Sequence, residues 1–511
     1  MDRADAASET LDLPPAYADL ERRFARWGSL KEAEGVLQWD MSTMMPKGGA
    51  ADRADQLAAL RVVTHGMIID PALADLFPAA EAVRGRLDPW RRANLREMRA
   101  IWRHTTALPE ALVEATSHAC TRCEMAWRQA KPSGDFKAVL PLLREVLRLT
   151  RETAAAKAAA LDLTPYDALL DLYEPGGRAA AIDVLFADLA SFLPGFLDDA
   201  LARQGARPAP LPLPGPFPVE KQRALGLELM TALGFDFDHG RLDVSLHPFC
   251  GGTPGDVRIT TRYDEASFMP ALMGVLHETG HALYERGLPE AWRRQPVGRA
   301  RGMSLHESQS LLVEMQACRS RAFIGFVAPL LRRTFGGDGA AWQVDNLLGH
   351  YRRITRGLIR VDADEVTYPA HVILRYRLER ALIADEMDLA DLPGAWTAGM
   401  KELLGVVPPD DRDGCMQDIH WYDGAWGYFP TYTLGAMTAA QLFAAARAAD
   451  PAIEPGIAQG DFRALMAWLR ANVHEHGSRD QTDEIVAAAT GRPLDTAAFK
   501  AHLRARYIDG V

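Results

Sequence analysis

The chain reads as mainly α, and three observations point that way. Ala, Leu, Arg and Glu dominate long stretches, and these residues lose little on entering a helix. Apolar side chains recur at spacings of three and four, as one face of a 3.6-residue period requires. Apart from a proline-rich connection, one region, Arg241 to Tyr263, breaks that period. Taken in order, Val139, Leu142, Leu143, Val146 and Leu147 form one helical stripe, and Ile182, Leu185, Phe186, Leu189, Phe192 and Leu193 form another. Prolines at 208, 210, 212, 214, 216 and 218 make Arg207–Pro218 an extended, polyproline-like course, because proline lacks the N–H that a helix needs. We read 1–206 as a helical half, 207–218 as a connection and 219–511 as a second helical half, joined in one continuous body. Within Arg241–Tyr263, Val244 and Leu246 alternate with polar residues. Gly251, Gly252 and Gly255 suggest a turn, and Val257, Ile259 and Thr261 alternate again. That pattern predicts a small antiparallel sheet. The next helix, over Phe268–Glu285, is apolar on most sides through Met269, Leu272, Met273, Val275, Leu276 and Leu283, so it is expected to be buried. A further apolar helix opens near Ser304 and runs through Leu311, Leu312 and Met315.

The 511 residues suffice for several cores or one large helical body, and 48% hydrophobic with 24% charged residues is a globular composition. No run approaches 18 consecutive apolar residues, so no membrane-spanning helix is expected. The stretch from Met1 to Pro15 is acidic and polar, which argues against a secretory signal. A net charge of −11 and the lack of a long basic run argue against nucleic acid as a partner. Five cysteines, sparse and odd in number, suit reduced thiols in a cytoplasm. Cys120 and Cys123 form a lone C-x-x-C and read as packed thiols rather than a redox or zinc site.

The buried helix carries His277-Glu278-Thr279-Gly280-His281. Residues four apart share a helix face, so His277 and His281 can bind one metal ion together. Glu278 lies one position round, where it can reach a water on the ion without ligating it. Buried imidazoles and a buried carboxylate need partners, and an ion would satisfy all three. This constellation points to hydrolysis of a peptide bond. A catalytic zinc takes three protein ligands and an open position. Glu285 lies a turn too far along. Glu307, in Ser304-Leu-His-Glu-Ser-Gln, can reach the ion from a second helix, although Ser304 and Glu307 also fit a capping box. His306 and Glu314 are its rivals.

Further blocks stand in order: His247-Pro-Phe249, Asp256-Val-Arg258-Ile-Thr260, His306-Glu-Ser-Gln309, Ile359-Arg360-Val-Asp-Ala-Asp364, and Gly414-Cys-Met-Gln417-Asp418-Ile-His420-Trp421. Softer ones are Trp39-Asp40 with Met45-Pro46, Tyr166–Asp171 and Tyr428–Leu434. With these blocks the chain resembles the carboxypeptidase Taq family of zinc metallocarboxypeptidases over nearly its whole length. The resemblance implies a large helical zinc-peptidase body with a deep substrate groove. It implies removal of single C-terminal residues from peptides with broad specificity, and a homodimer. It also implies that His277, His281 and Glu307 are the metal ligands and Glu278 the catalytic carboxylate. Zinc is the expected ion, with cobalt the alternative, since geometry chooses between such ions.

Within that frame His420 and Tyr432 are candidate donors to the oxyanion. Recognition of a free α-carboxylate calls for a planar guanidinium, and Arg360 is the first choice. Arg258, on the sheet read as a substrate-binding edge, is the second, and a structural pair of Arg360 with Asp362 or Asp364 is the competing role. His247 can line the groove or cap the strand, while Asp256, Asp364 and Gln417 can orient ligands and arginines. Two other functions compete: an oligopeptidase with the same site and a groove open at both ends, and an inactive helical scaffold.

Overall fold

The structure, a computed structural model, describes residues 13–510. Among these lie twenty α-helices and one three-stranded sheet. The helix Met269–Gly287 is covered on two sides. One side packs Val275 and Ala282 against Leu242, Val257 and Ile259 of the sheet. Another packs Leu272, Leu276 and Leu283 into a larger cluster with Leu305, Leu312 and Phe323. Burying each such side chain stabilises the fold by about 1.5–3 kcal/mol. This double coverage explains why the helix is apolar nearly all round.

The strands are β1, Gly240–Val244, β2, Cys250–Thr253, and β3, Asp256–Thr261, in the order β1-β3-β2. The sheet is mixed rather than wholly antiparallel. β2 and β3 form a hairpin over Pro254-Gly255, but β1 pairs with β3 in parallel, Leu242 opposite Ile259. The alternating pattern located β3 and the end of β1 but missed β2, whose glycines read as a turn, and it left Leu246 in a strand that ends at Val244; alternation specifies which face is buried and says nothing of strand direction. Gly251 and Gly252 lie within β2, not in a turn. Gly252 has φ +86°, and a Cβ there would meet the Asp256 carbonyl at 2.1 Å. Because β3 is central, Arg258 does not sit on an edge strand as expected.

Segment 208–218 contains neither helix nor strand. Asn346 holds it through both backbone groups of Leu211, at 2.7 and 3.0 Å. The helix Ala179–Gly205 is long and apolar enough to cross a membrane by length and composition. Here its Ile182, Phe186, Leu189 and Leu193 lie in a core shared with Val372, Leu382 and Trp396.

Candidate metal centre

Two helices build the centre. Met269–Gly287 presents His277 and His281, and Met303–Leu311 presents Glu307. They touch backbone to backbone at Gly280, where a Cβ would lie 2.6 Å from the Gln309 carbonyl oxygen and from Ser310 Cα. Only glycine permits that approach. A third helix, Pro430–Ala449, closes over Glu307 at Gly435, where a Cβ would meet Glu307 Cβ at 2.9 Å. The capping box does not form, because Ser304 lies inside the helix rather than at its cap. Its N–H instead donates to Glu174 Oε2 at 3.0 Å, so a carboxylate from a distant turn serves the helix N-terminus and Glu307 is left for the site.

Ligand atoms of His277, His281 and Glu307 all lie within 4.8 Å of one another. Glu307 Oε2 is 3.4 Å from His281 Nε2 and 3.9 Å from His277 Nε2. The outer nitrogens are engaged. His277 Nδ1–H donates to Glu314 Oε2 at 2.9 Å, and Arg319 holds the other oxygen of Glu314 at 2.5 Å. His281 Nδ1 is 2.6 Å from His306 Nδ1, and His306 Nε2 is 2.8 Å from Glu285 Oε1. If neutral His306 donates from Nε2 to Glu285, its Nδ1 must accept from His281 Nδ1–H. Both inner Nε2 atoms then carry free lone pairs pointing at Glu307. The rival ligands His306 and Glu314, with Glu285, thus stand behind the histidines.

Burial works to lower His277, but the hydrogen bond to Glu314 and the charge of Glu307 leave it raised to about 10. His281 is lowered to about 4, chiefly by burial. Burial also raises Glu278, to about 7. In Glu307 the burial effect is overcome by the two histidines, and it is held at about 2. Carboxylates of Glu278, Glu285, Glu307 and Glu314 gather here with Arg319 as the neighbouring guanidinium, so the cluster is short of positive charge. A divalent cation would take the place of the proton that these carboxylates hold on His277, and would then find two imidazole nitrogens, one carboxylate oxygen and that deficit.

A cavity of about 470 Å³ opens beside the centre, lined by His277, Glu307, Pro248, Arg319, Arg360, Glu365, Tyr368 and Tyr432 among others. Arg360 is buried, and its partner is neither Asp362 nor Asp364. Its Nε and Nη2 donate to Asp418 Oδ1 at 3.0 and 2.8 Å, its N–H to Gln417 Oε1 at 2.9 Å, and Nη1 reaches Tyr368 Oη at 3.3 Å. Asp418 also accepts from Arg375 at 2.6 Å, so the pair of guanidiniums keeps a net positive charge. Asp364 accepts from backbone N–H groups of Thr355, Val366 and Thr367 instead of orienting an arginine. Tyr432 lies under Arg360, ring centroid 4.9 Å from Cζ, and its Oη is 3.3 Å from His420 Nε2. Burial and the nearby arginines lower His420 to about 4. His420 is not among the cavity-lining residues. Arg258 points elsewhere, bound to Asp256 and stacked 4.3 Å over Trp39. His247 is exposed in the loop before β2, while its neighbour Pro248 lines the cavity. Tyr368 and Arg319 escaped the sequence reading. The aromatic-proline pair after Asp364 was the only signal for Tyr368, and nothing local marked Arg319.

Residues 19–507 match the profile of the carboxypeptidase Taq (M32) metallopeptidases. The chain belongs to this family. It is 42% identical over 503 residues to thermostable carboxypeptidase 1 of Thermus thermophilus, covering 96% of this chain and 98% of that one. It is 33% identical over 495 residues to carboxypeptidase 1 of Bacillus subtilis, with 96% and 97% covered. Metallocarboxypeptidase 1 of Trypanosoma cruzi has the same fold, with a TM-score of 0.95 at 41% identity over 97% of this chain and 99% of that one. An M32 carboxypeptidase of Deinococcus radiodurans gives 0.91 at 35% identity, with 97% and 99% covered. The chain is therefore a metallocarboxypeptidase, a metal-dependent peptide hydrolase of mainly α fold.

Proposed function

We propose that the enzyme releases single residues from free peptide C-termini with broad side-chain tolerance. The reading rests on one observation: the Arg360 guanidinium lines the same cavity as His277 and Glu307. His277, His281 and Glu307 would hold a divalent ion, zinc in preference to cobalt, which when bound would supply Lewis acidity and make a nearby water easier to deprotonate. Glu278 takes the proton of the attacking water and passes it to the leaving amine. Tyr432 donates to the developing oxyanion, with His420 Nε2–H behind its oxygen to turn the phenol proton into the cavity. Arg360, oriented by Asp418 and Gln417, receives the substrate carboxylate, while Arg258 and His247 contribute at most further along the groove.

The test is a defined peptide incubated with and without chelator and followed by mass. A ladder of single C-terminal losses, abolished by chelator, is expected. Amidated peptides should resist, and Arg360→Ala should erase most of the preference for a free terminus. Equal cleavage of amidated substrate would favour the oligopeptidase reading. We read the protein as a homodimer, to be checked by sedimentation velocity. The unpaired state of Cys120, Cys123, Cys250, Cys318 and Cys415 suits a reducing compartment such as the cytoplasm.

A further inference from the structure

We propose that Arg506, nearly two hundred positions from the metal helices' second member, is a positioning residue for His277, acting through Glu314. This rests on the reading that His277, His281 and Glu307 hold the ion.

The helix that presents Glu307 continues past Leu311 into a wide π turn, Leu312–Ala317, and Glu314 lies inside that turn. The turn closes with Cys318 N–H donating to the Val313 carbonyl at 2.8 Å, and the chain then leaves the helix through Arg319 and Ser320. A helix end exposes carbonyls that the helix itself cannot satisfy, and a π turn is a weak way to end. Here a guanidinium from the last described turn, Arg504–Asp509, does the work. Arg506 Nη1 donates to the Met315 carbonyl at 2.7 Å, and Nη2 reaches the Gln316 carbonyl at 3.4 Å. Arg506 is itself held, since Nη1 also pairs with Glu365 Oε2 at 2.9 Å. Glu365 in turn is fixed by His502 Nε2 at 2.6 Å and Tyr507 Oη at 3.1 Å. The capped carbonyls lie between the two residues that matter, just after Glu314 and before Arg319. Those two grip each other at 2.5 Å, and Glu314 grips His277 at 2.9 Å. Without the cap, the end of the π turn is free to shift, and the carboxylate that holds His277 in its metal-binding tautomer shifts with it.

The test is a double-mutant cycle read by zinc affinity in chelator competition, using the full-length protein. Arg506→Met is expected to weaken zinc binding about tenfold, the low end for groups that hold a ligand from behind. Arg506→Lys should recover part of that, because an ammonium can still reach one carbonyl. In a Glu314→Ala background Arg506→Met should add less than about a twofold further loss, since the side chain that carries the route is gone. Should Arg506→Met fail to fold, the Lys variant carries the same cycle. Unchanged zinc affinity in the Arg506 variants, or the same loss in both backgrounds, overturns the proposal. His281→Ala reports on the underlying reading: if it keeps wild-type zinc affinity, the ligand assignment has failed rather than the role of Arg506.

Discussion

At the scale of single residues, burial sets the chemistry. Glu278 is raised to about 7 mainly because its environment resists charge. A base works only when ionised, so kcat/KM should rise with pH through its pKa, and the charge of a bound ion should pull that limb below the metal-free value. A profile with no acid limb at all would remove Glu278 from this role. Glu278→Gln should lower kcat by about 10²–10⁴-fold while leaving zinc affinity near wild type. Asp418 shows the opposite balance. Burial pushes it up, but Arg375 and Arg360 outweigh that and hold it well below the usual carboxylate range. Its contribution to stability is therefore full above the ordinary carboxylate pKa and is lost as pH falls. Asp418→Asn leaves two buried guanidiniums without their anion and should cost about 3–5 kcal/mol in a urea titration. The partner of Arg360 was legible only as a choice of acids. Sequence proximity favoured Asp362 and Asp364, whereas packing brought Asp418 from 58 positions away.

At the scale of elements, the centre depends on how closely two helices approach. Gly280 occupies an unspecified position of H-E-x-x-H, yet its missing side chain lets the Glu307 helix come within reach of His281. Gly280→Ala should destabilise the protein by about 1–3 kcal/mol and weaken metal binding, because the clash is with backbone that cannot turn aside. A folded Gly280→Ala protein with unaltered zinc affinity would show that this contact does not set the ligand distance. Two of the three strands were readable in the sequence, but β2 and the topology were not. The sheet's glycines belong to β2 and to the hairpin, and the parallel β1–β3 pairing needed the crossover that only the folded chain displays.

At the scale of the whole molecule, the proposed ion would add a tie between helices that packing and the His277–Glu314 and His281–His306 hydrogen bonds already join. A ligand that binds the folded state alone stabilises it, by about 4 kcal/mol when present at a thousandfold its Kd. Chelation should therefore lower the unfolding temperature, and readdition of zinc should restore it. A chelated protein that melts at the same temperature would mean that the centre is no cross-link. The helix Ala179–Gly205 makes a related point. Its length and apolar composition suit a membrane, but its buried face completes a core with helices from the second half of the chain.

Sequence by itself determined what repeats locally: helical period, the shared face of His277 and His281, and a family pattern spread over ordered blocks. These follow from backbone geometry over a few residues, so they survive without knowledge of the fold. Tertiary structure decided the partners. Whether Glu307 capped its helix or lay beside the two histidines, which acid held Arg360, and that His306, Glu314 and Glu285 back the histidines were all settled by groups far apart in the chain. Packing alone brings such groups together, and no local spacing encodes it.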